Sequence, residues 1–415
     1  MQCAAVAGNI PRILINVDST EGFGHFNIVS MLNDALQAYG AEVHIFSSTL
    51  HHASSRFDFR NAHVHKLPEV FWKEIDGRRT YLTADGTLLH RDKLYRTNLQ
   101  AATRHIITTV RPHAFIMEHY PFMMQWRDPV LKAMVDVYGK RAAAGATRPP
   151  SISLCRDIVF SSDPLRTIGI LRHHFDYILV RGDRRLATLA DSAPDWKKIT
   201  VATEYMGQFV EELPARDDMP EDKRAVIAFA GGGFFPEDIP FFEAVIRARQ
   251  HSLYKGNRLH IYVSDNVPED LFIHFDTIAA SEPDAGNIRI SRSVAPVAFR
   301  KEIVNCAAAI CRGGYNTTAE LMKARRPFVL IPRASAEQQK RASLLNRLLN
   351  VPIIQAADLV RPVILANALA HARMAANDQP ADINRNGAGC TAKRIVELAE
   401  QYAKTNALQG TPYCQ

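Results

Sequence analysis

The segment CRGGYNTTAEL, residues 311–321, combines residue types that can hold an anionic ligand. Gly313 and Gly314 follow a short apolar run and let the backbone turn sharply before a helix, which we expect to begin near Asn316 or Thr317. The free N–H groups and the positive dipole end of such a helix attract phosphate, with up to ~1–2 kcal/mol from the dipole. The motif therefore predicts an anion site at a helix start.

Glu320 in the same segment has two predicted roles. Thr317 and Glu320 have the spacing of a capping box, in which the glutamate closes the start of its own helix. Spacing alone favours this structural role. The alternative is that the carboxylate contacts a ligand in front of the helix.

A second glycine cluster, Gly231 to Gly233, lies in the segment FAGGGFFPED (229–238) and also follows an apolar run. It matches neither G-x-G-x-x-G nor G-x-x-x-x-G-K-[ST], so it is neither a dinucleotide fingerprint nor a P-loop. A glycine triplet alone is most often a tight turn. Two such loops at the ends of two strands in one domain can, however, hold a diphosphate by their backbone amides.

A third polar segment follows the run PFVLIP and contains Glu337, Gln338 and Gln339. Amides and a carboxylate suit sugar hydroxyls because each donates or accepts hydrogen bonds in a fixed direction. The alternative is a solvated helix start, where glutamate and glutamine are common.

The elements that must position these residues alternate between short apolar runs and longer amphipathic segments, which is typical of the α/β class. Residues 69–92 interrupt the alternation, and Asp85-Gly86 indicates a turn within an inserted hairpin or lid. Parallel sheets bind ligands at the carboxyl ends of their strands. We predict two doubly wound units, at residues 1–204 and 225–395. A linker at 205–224 joins them, and a C-terminal helix or tail follows at 396–415.

The composition limits the class of protein. The chain has 415 residues, of which 47% are hydrophobic and 22% charged, as in globular proteins of more than one domain. No apolar run approaches the ~18–20 residues of a membrane helix, and no signal-peptide pattern is present. The six cysteines lack C-x-x-C spacing, so neither a zinc site nor a disulfide framework is indicated. We expect a cytoplasmic protein, free or peripheral to a membrane.

The net charge of +7 is compatible with ordinary surface charge or with an anionic substrate. No block of five or more basic residues supports nucleic-acid binding. A D-x-D metal motif is also absent from the sequence.

Residues 225–345, and more loosely the whole chain, resemble glycosyltransferase family 28, typified by the lipid-linked N-acetylglucosaminyltransferase of peptidoglycan synthesis, and a branch of predicted glycosyltransferases. The motifs CRGGYNTTAEL, RRPFVLIP and AEQQKRA carry this resemblance. It implies the GT-B architecture, in which two Rossmann-like domains face a cleft. It also implies a nucleotide-sugar donor in the C-terminal domain, an acceptor in the N-terminal one, and no required metal or other cofactor.

The resemblance assigns roles within the donor domain. It places Glu320 on the ribose hydroxyls, which reverses the preference for a cap, and Gly313 and Gly314 on the phosphates. Glu337 and Gln338 would contact the transferred sugar, and Val294 would border the base. The complete set of predicted donor-binding residues is Gly231, Gly232, Gly233, Val294, Arg312, Gly313, Gly314, Asn316, Thr317, Glu320, Glu337, Gln338 and Gln339.

On the acceptor side, the segment DSTEGFGHFNIV (18–29) corresponds to a glycine-rich loop of the family that ends in a histidine at a helix start. His25 fits that place as the general base, because a helix N-terminus favours the neutral imidazole. The alternative is a histidine that caps its own helix. Glu118 is the second candidate for the base. Glu21, Gly24 and His119 are the predicted acceptor-binding residues.

Two departures from the family restrict the acceptor. The segment STEGFGH has fewer glycines than the peptidoglycan enzyme, and EYMGQFVEE lacks the arginine that family members place there for phosphate. The prediction is therefore a metal-independent, inverting glycosyltransferase with a UDP-type donor and an unidentified acceptor: a small molecule is favoured, an anionic polymer or lipid is the alternative. The rival functions are a nucleotide-sugar hydrolase or epimerase and a non-catalytic nucleotide-sugar-binding protein.

Overall fold

The computed structural model divides into two compact units. The N-terminal unit comprises residues 1–184, 188–208 and 386–415, and the C-terminal unit comprises residues 185–187 and 209–385. The structure describes residues 10–19, 24–53, 59–75, 78–89, 91–123, 125–143, 145–231, 233–249, 257–292, 294–375 and 383–408.

A parallel sheet forms the centre of the N-terminal unit. The strands of this unit are β1 (Arg12–Asn16), β2 (Glu42–Ser47), β3 (His63–Lys66), β4 (Val70–Ile75), β5 (Arg78–Thr83), β6 (Ala114–Glu118), β7 (Ser151–Arg156), β8 (Tyr177–Arg181) and β9 (Ala202–Gly207). Seven of them pair in the order β3-β2-β1-β6-β7-β8-β9. Every residue of β6 is buried, as expected for a central parallel strand that is covered on both faces.

Helices connect these strands on the two faces of the sheet. They are α1 (Gly24–Ala38), α2 (Leu50–Ala53), α3 (Lys93–Val110), α4 (Asp128–Ala143), α5 (Pro164–His174) and α6 (Leu189–Ser192). The side chain of Asp92 caps α3 by accepting a hydrogen bond from the backbone N–H of Tyr95 at 2.8 Å. The helix ends at Arg111, which has a left-handed backbone conformation before Pro112.

Residues 69–92 contain two antiparallel reversals of the chain, one of them at the predicted Asp85-Gly86 turn. Strand β4 pairs antiparallel with β5, with Ile75 opposite Arg78, and residues 76–77 lie outside the described residues. Asp85 and Gly86 form a second tight turn after β5, with Gly86 at φ 86° and the Asp85 carboxylate accepting the backbone N–H of Thr87 at 3.1 Å. Leu82 and Leu88 form an antiparallel bridge across this turn, and Leu89 donates its backbone N–H to the carbonyl of Tyr81 at 3.0 Å, so the predicted turn closes a short hairpin.

The C-terminal unit repeats the doubly wound plan with five parallel strands. These are β10 (Val226–Phe229), β11 (Leu259–Val263), β12 (Ile288–Arg292), β13 (Ala308–Cys311) and β14 (Phe328–Leu330), in the order β12-β11-β10-β13-β14. Its helices are α7 (Asp238–Ala248), α8 (Glu269–Ser281), α9 (Pro296–Asn305), α10 (Tyr315–Lys323), α11 (Ala336–Leu349) and α12 (Pro362–Ala375). The predicted α/β fold class is confirmed.

The last helix, α13 (Gly387–Leu408), belongs to the N-terminal unit, where it packs on α1 and β9. Arg394 binds the carboxylate of Glu204 on β9 through Nε and Nη2, at 2.9 and 2.8 Å. A Cβ atom at Gly387 would lie 2.3 Å from the carbonyl oxygen of Gly207, so only glycine fits this approach.

The unit boundaries consequently differ from the predicted ones. The predicted linker at 205–224 begins inside β9, and the predicted donor domain at 225–395 includes the start of α13. The physical reason is that β9 is an edge strand with a weakly apolar sequence, which α13 covers after the chain returns from the C-terminal unit. Among the described residues, no helix is both long and apolar enough to cross a membrane.

Candidate active site

Four polar side chains converge at the carboxyl ends of neighbouring strands in the N-terminal unit. Glu118, Arg156 and Arg181 are the last residues of β6, β7 and β8, and His25 is the second residue of α1, which follows β1. These four strands are adjacent in the sheet. The parallel order thus brings together His25 and Glu118, the two predicted candidates for the base, from positions 93 residues apart. We call these four residues the His25 cluster.

The imidazole of His25 lies directly against the carboxylate of Glu118. Nδ1 of His25 is 2.8 Å from Oε2 and 3.0 Å from Oε1. Glu118 is fully buried and His25 is 7% exposed, so water does not compete for this hydrogen bond. A buried carboxylate on one ring nitrogen fixes both the orientation and the tautomer of a histidine base.

Glu118 is held in the ionised state by its partners. Burial favours the neutral acid, but His25 and the Arg181 guanidinium outweigh this effect and hold the pKa of Glu118 well below its usual range. Nη2 of Arg181 lies 2.7 Å from Oε1 of Glu118, and the Arg181 side chain is 1% exposed. The cluster therefore contains a permanent buried carboxylate.

His25 is neutral at physiological pH. Burial lowers its pKa, Arg156 and Arg181 lower it further, and Glu118 opposes the shift only in part. Nη2 of Arg156 lies 3.2 Å from Nε2 of His25. Because a guanidinium can only donate, Nε2 carries the lone pair and Nδ1–H donates to Glu118. This is the tautomer that a general base requires, with its accepting nitrogen directed at Arg156.

His119 lies beside the cluster. Its ring centroid is 5.3 Å from that of His25, it is 2% exposed, and burial holds its pKa well below the usual value, so it too is neutral. Its backbone has φ 56°, a left-handed conformation that is uncommon outside glycine and concentrates at functional sites. Within the described part of the chain, its buried Nδ1 has no hydrogen-bond partner.

A second buried arginine fixes the strand ends beneath the cluster. Arg127 donates from Nη1 to the backbone carbonyl of Glu118 at 2.7 Å and from Nε to Oδ1 of Asn16 at 2.8 Å. Asp18, 3.3 Å from Arg127, accepts the backbone N–H of Ser48 at 2.7 Å. These contacts join the loop after β1 to the ends of β2 and β6, and so set the position of α1.

The sequence prediction missed the two arginines of the His25 cluster. Each ends a segment that is otherwise mostly apolar: SISLCR for Arg156 and YILVR for Arg181. A basic residue that closes an apolar strand lies at the ligand-binding edge of a parallel sheet, and this signal was available. Of the predicted acceptor residues, Gly24 is the first residue of α1, and Glu21 lies outside the described residues.

In the C-terminal unit, the glycine turn after β13 has the predicted form. Gly313 has φ 79°, in the left-handed region, and a Cβ there would lie 3.4 Å from the Leu330 side chain. Helix α10 begins at Tyr315, slightly earlier than predicted, with Gly314 as its N-cap and no capping side chain. The N–H groups of its first turn, which includes the half-buried Asn316, are thus not bound by a cap.

The capping box between Thr317 and Glu320 does not form. Because α10 starts at Tyr315, Thr317 lies within its first turn and Glu320 in its second. The structural alternative for Glu320 is therefore wrong, since a capping glutamate must lie three residues after the N-cap.

Glu320 has an environment that favours its neutral form. Burial raises its pKa to about 7, and the Glu211 carboxylate adds to this shift while Arg300 opposes it. Arg300 is already bound to Glu211, with Nη2 and Oε2 2.7 Å apart. A half-buried carboxyl with a pKa near neutrality can donate as well as accept hydrogen bonds.

Arg312 connects loops of the C-terminal unit. It is 3% exposed and donates from Nε to Oδ1 of the fully buried Asp238 at 3.0 Å, and from Nη2 to the carbonyl oxygen of Glu237 at 2.6 Å. Arg333 binds the other oxygen of Asp238 at 2.7 Å and the carbonyl of Gly233 at 3.3 Å. The loops after β10, β13 and β14 are therefore held together by one carboxylate and two guanidinium groups.

The three side chains predicted to contact the sugar lie at the start of α11. Gln338 accepts the backbone N–H of Arg333 through Oε1, and Gln339 donates to the Arg333 carbonyl, both at 3.0 Å. Glu337 pairs with Arg341 at 2.9 Å. Sugar binding by these residues must use their remaining donor and acceptor positions.

Two further predicted donor residues, Gly231 and Val294, follow the carboxyl ends of β10 and β12. Gly231 has φ 110°, so the first glycine of the triplet needs the conformation that glycine permits. Val294 is half-buried and packs against the apolar cluster that contains Phe229 and Tyr262. Gly232 lies outside the described residues.

Comparisons with known proteins match this fold. Residues 299–401 match the family model described as glycosyltransferase family 28 C-terminal domain. The comparison with curated proteins gives no match.

Among solved structures, the chain is similar to MurG from Acinetobacter baumannii, with 13% identity and a TM-score of 0.58 over 93% of this chain and 99% of that one. It is also similar to CalG4, the calicheamicin glycosyltransferase, with 11% identity and a TM-score of 0.59 over 98% and 100%. A putative UDP-N-acetylglucosamine 2-epimerase from Listeria monocytogenes gives 10% identity and a TM-score of 0.58 over 95% and 97%.

At these identities the structural neighbours establish the fold alone, and the matched domain supports the class of enzyme. The chain has the GT-B fold, and the match of residues 299–401 to the glycosyltransferase family 28 C-terminal domain confirms the predicted resemblance and supports a glycosyltransferase.

Proposed function

We propose that the protein transfers a glycosyl group from a nucleoside diphosphate sugar, of the UDP type, to an acceptor hydroxyl or amine, without a metal ion and with inversion. The observation that carries this proposal is the buried pair of His25 and Glu118. It contains a neutral imidazole whose Nδ1–H is held by an ionised carboxylate and whose Nε2 is free of a proton.

In the proposed reaction, Nε2 of His25 accepts the proton of the acceptor while the acceptor oxygen or nitrogen attacks the anomeric carbon. The bond from that carbon to the diphosphate oxygen breaks, and the nucleoside diphosphate leaves with the bonding electrons. Attack from the face opposite the leaving group inverts the anomeric configuration. Glu118 stabilises the imidazolium that forms, because its carboxylate is 2.8 Å from Nδ1.

Arg156 must release Nε2 for this step to occur. Its guanidinium donates a hydrogen bond to Nε2 of His25, the atom that must accept the proton of the acceptor. An acceptor hydroxyl that replaces Arg156 on Nε2 leaves the guanidinium close by, where it can bind a polar or anionic group of the acceptor. The acceptor itself is unidentified, and a small molecule, an anionic polymer and a lipid remain alternatives.

The donor half of the proposal rests on the C-terminal unit. The uncapped start of α10 and the glycine turns at Gly231 and Gly313 offer backbone N–H groups to a diphosphate. Glu320 would bind the ribose hydroxyls, and Glu337 and Gln338 the sugar. The leaving diphosphate would thus be stabilised by amides and a helix dipole, and the transfer would need no metal ion.

An epimerase or hydrolase of nucleotide sugars is the second candidate, and the similarity to a putative UDP-N-acetylglucosamine 2-epimerase favours it. In that case His25 would move a substrate proton or activate water. The cytoplasmic location, free or at a membrane surface, stays a prediction.

The first experiment is a thermal-shift screen of the full chain against UDP, GDP, dTDP, ADP and CDP, each with and without EDTA. Saturation at ~100 times the Kd adds about 2.7 kcal/mol to the free energy of unfolding, which gives a clear rise in Tm. Each nucleotide is compared with the nucleotide-free protein in the same buffer, so that any effect of EDTA alone cancels.

A rise in Tm with one nucleotide, regardless of EDTA, is the expected result. The matching nucleotide sugars are then incubated with the protein without an acceptor. Release of the nucleoside diphosphate would favour a hydrolase, an altered sugar would favour an epimerase, and a stable donor supports a transferase. No shift with any nucleotide would contradict the proposal.

A further inference from the structure

A group of histidines lies at the opposite end of the N-terminal sheet from the His25 cluster. Glu42 and His44 are on β2, and His63 and His65 are on the edge strand β3. The two strands are parallel, and His44 pairs in register with His63. Side chains two residues apart share a face of a sheet, so all four point to the same side.

The ligand atoms of this group are close together. Nε2 of His44 is 2.8 Å and Nε2 of His63 is 3.6 Å from the same Oε1 of Glu42. The ligand atoms of Glu42, His44 and His63 all lie within 4.8 Å of one another. Two ligands bound tetrahedrally at about 2.05 Å from zinc are about 3.3 Å apart, so small movements of the side chains complete such a site.

The surroundings favour a bound cation. The ring of His44 lies with its centroid 4.7 Å from that of His63 and 5.4 Å from that of His65, and both pairs are stacked. Nδ1 of His44 is 3.1 Å from Nε2 of His65, which can orient His44 through its second nitrogen in the way that outer partners orient metal-bound histidines. The carboxylate of Glu42 supplies the negative charge.

The site is accessible from one side. The side chain of His44 is 9% exposed, that of Glu42 is 37% exposed, and that of His63 is 62% exposed. An ion can therefore enter from solvent and bind against a fixed inner ligand. The positive charge of Arg12 acts on His44. The Arg12 guanidinium donates hydrogen bonds to backbone carbonyl oxygens, with Nε 2.9 Å from the carbonyl oxygen of Val110.

We propose that Glu42, His44 and His63 form a binding site for a divalent transition-metal ion, with Zn²⁺ as the best match. Two imidazoles and a carboxylate are ligands that zinc accepts, whereas Mg²⁺ and Ca²⁺ prefer oxygen ligands alone. The bound ion joins β2 to the edge strand β3 and so stabilises the edge of the sheet. The site plays no part in the proposed transfer, since its residues begin their strands and the His25 cluster lies at the opposite, carboxyl ends.

The test uses the full chain, freed of metal by EDTA and then desalted. Titration calorimetry with ZnCl₂ should show saturable binding of one equivalent at this site, and Zn²⁺ but not Mg²⁺ should raise Tm. His63→Ala and Glu42→Gln should each weaken the binding more than about tenfold. Both side chains are partly exposed, so these variants should fold like the wild type.

The matched control is His274→Ala, which removes an exposed histidine that also pairs with a glutamate, Glu243, at 2.8 Å. It should leave Zn²⁺ binding unchanged. Zinc affinity that is the same in the wild type, His63→Ala and Glu42→Gln would overturn the proposal, and so would the absence of Zn²⁺ binding to the wild type.

Discussion

Glu118 in the N-terminal unit and Glu320 in the C-terminal unit are two shielded glutamates near the carboxyl ends of parallel strands, and their pKa values move in opposite directions. That of Glu118 is held well below its usual range, and that of Glu320 is raised to about 7. Burial alone would raise both. The difference between them comes from their partners.

Glu118 has two partners that favour its charge, His25 and Arg181, at 2.8 and 2.7 Å. Glu320 faces Arg300, but that guanidinium is bound to Glu211, whose charge opposes ionisation of Glu320. One unit thus holds an ionised carboxylate that orients a histidine. The other holds a carboxyl that is partly neutral at pH 7 and suits hydroxyl ligands. In the proposed function, units with the same strand-loop-helix plan divide the work, because one supplies the catalytic base and the other binds the donor.

The largest expected effect tests the proposed catalytic role of the N-terminal unit. His25→Ala should lower kcat for transfer by about 10²–10⁴-fold, because general-base catalysis contributes on that scale. The affinity for the nucleoside diphosphate should stay within twofold of the wild type. Steady-state kinetics, together with titration calorimetry, measure the two quantities.

His274→Ala, on α8 of the other unit, is the control for this variant, and its kinetics should equal those of the wild type. A His25→Ala protein that keeps its folded Tm and most of its kcat would contradict the role of His25 as base.

The next effect concerns stability. Arg181→Met should lower the free energy of unfolding by about 3–5 kcal/mol, because it leaves the buried charge of Glu118 with a partner removed. Arg312→Met should be less damaging, since Arg333 still pairs with Asp238 at 2.7 Å. Urea unfolding of both variants checks the order, and a larger loss for Arg312→Met would contradict it.

Much of the fold could be predicted from the sequence, because most strands near the centre of the two parallel sheets are short apolar runs. The run RILIN and the helix from Lys93 to Val110 are examples. The place of α13 could not be predicted, because its docking on β9 depends on the chain returning from the C-terminal unit. The residues of a helix do not indicate against which element, far away in the sequence, that helix packs.

Some residues of the candidate site could also be predicted from local sequence, and others could not. His25, Glu118 and the glycine turn at Gly313 follow strand ends, and a local pattern identifies such positions. The partners Arg156 and Arg181 depend on which strands are neighbours in the sheet, and the sequence does not state the strand order. The capping-box prediction for Glu320 was wrong although the spacing of Thr317 and Glu320 matched the motif. The helix begins at Tyr315, so Thr317 is not its N-cap residue.

The third prediction concerns the pH dependence that distinguishes the carboxyl of Glu320 from that of Glu118. The pKa of Glu320 in the folded protein, about 7, exceeds its usual value of 4.5, so the folded state binds more protons between these values. The stability that Glu320 contributes is therefore fully present below pH 4.5 and is lost as pH rises through 7, by up to about 3 kcal/mol, less where water reaches the carboxyl.

Glu320→Gln mimics the neutral acid and should remove this pH dependence, with the variant more stable than the wild type at pH 8. Urea unfolding at pH 5, 6, 7 and 8 measures it. Parallel pH profiles for wild type and variant would show that Glu320 is not shifted.

The smallest expected effect concerns Arg156. Its charge lowers the pKa of His25, although burial is the larger cause, so Arg156→Gln should raise that pKa. The acid limb of the pH–rate profile should move to higher pH, because transfer needs neutral His25. At pH 8, kcat should change by less than about tenfold, or ~1.4 kcal/mol. An unmoved acid limb would show that Arg156 does not act on the base.

The most direct test of the account is titration calorimetry of the preferred nucleoside diphosphate with the wild type, His25→Ala and Glu320→Ala. If donor binding belongs to the C-terminal unit and proton transfer to the N-terminal unit, His25→Ala should bind like the wild type, and Glu320→Ala should bind at least about tenfold more weakly, a loss of ~1.4 kcal/mol. An equal loss of affinity in both variants, or no binding by the wild type, would contradict the account.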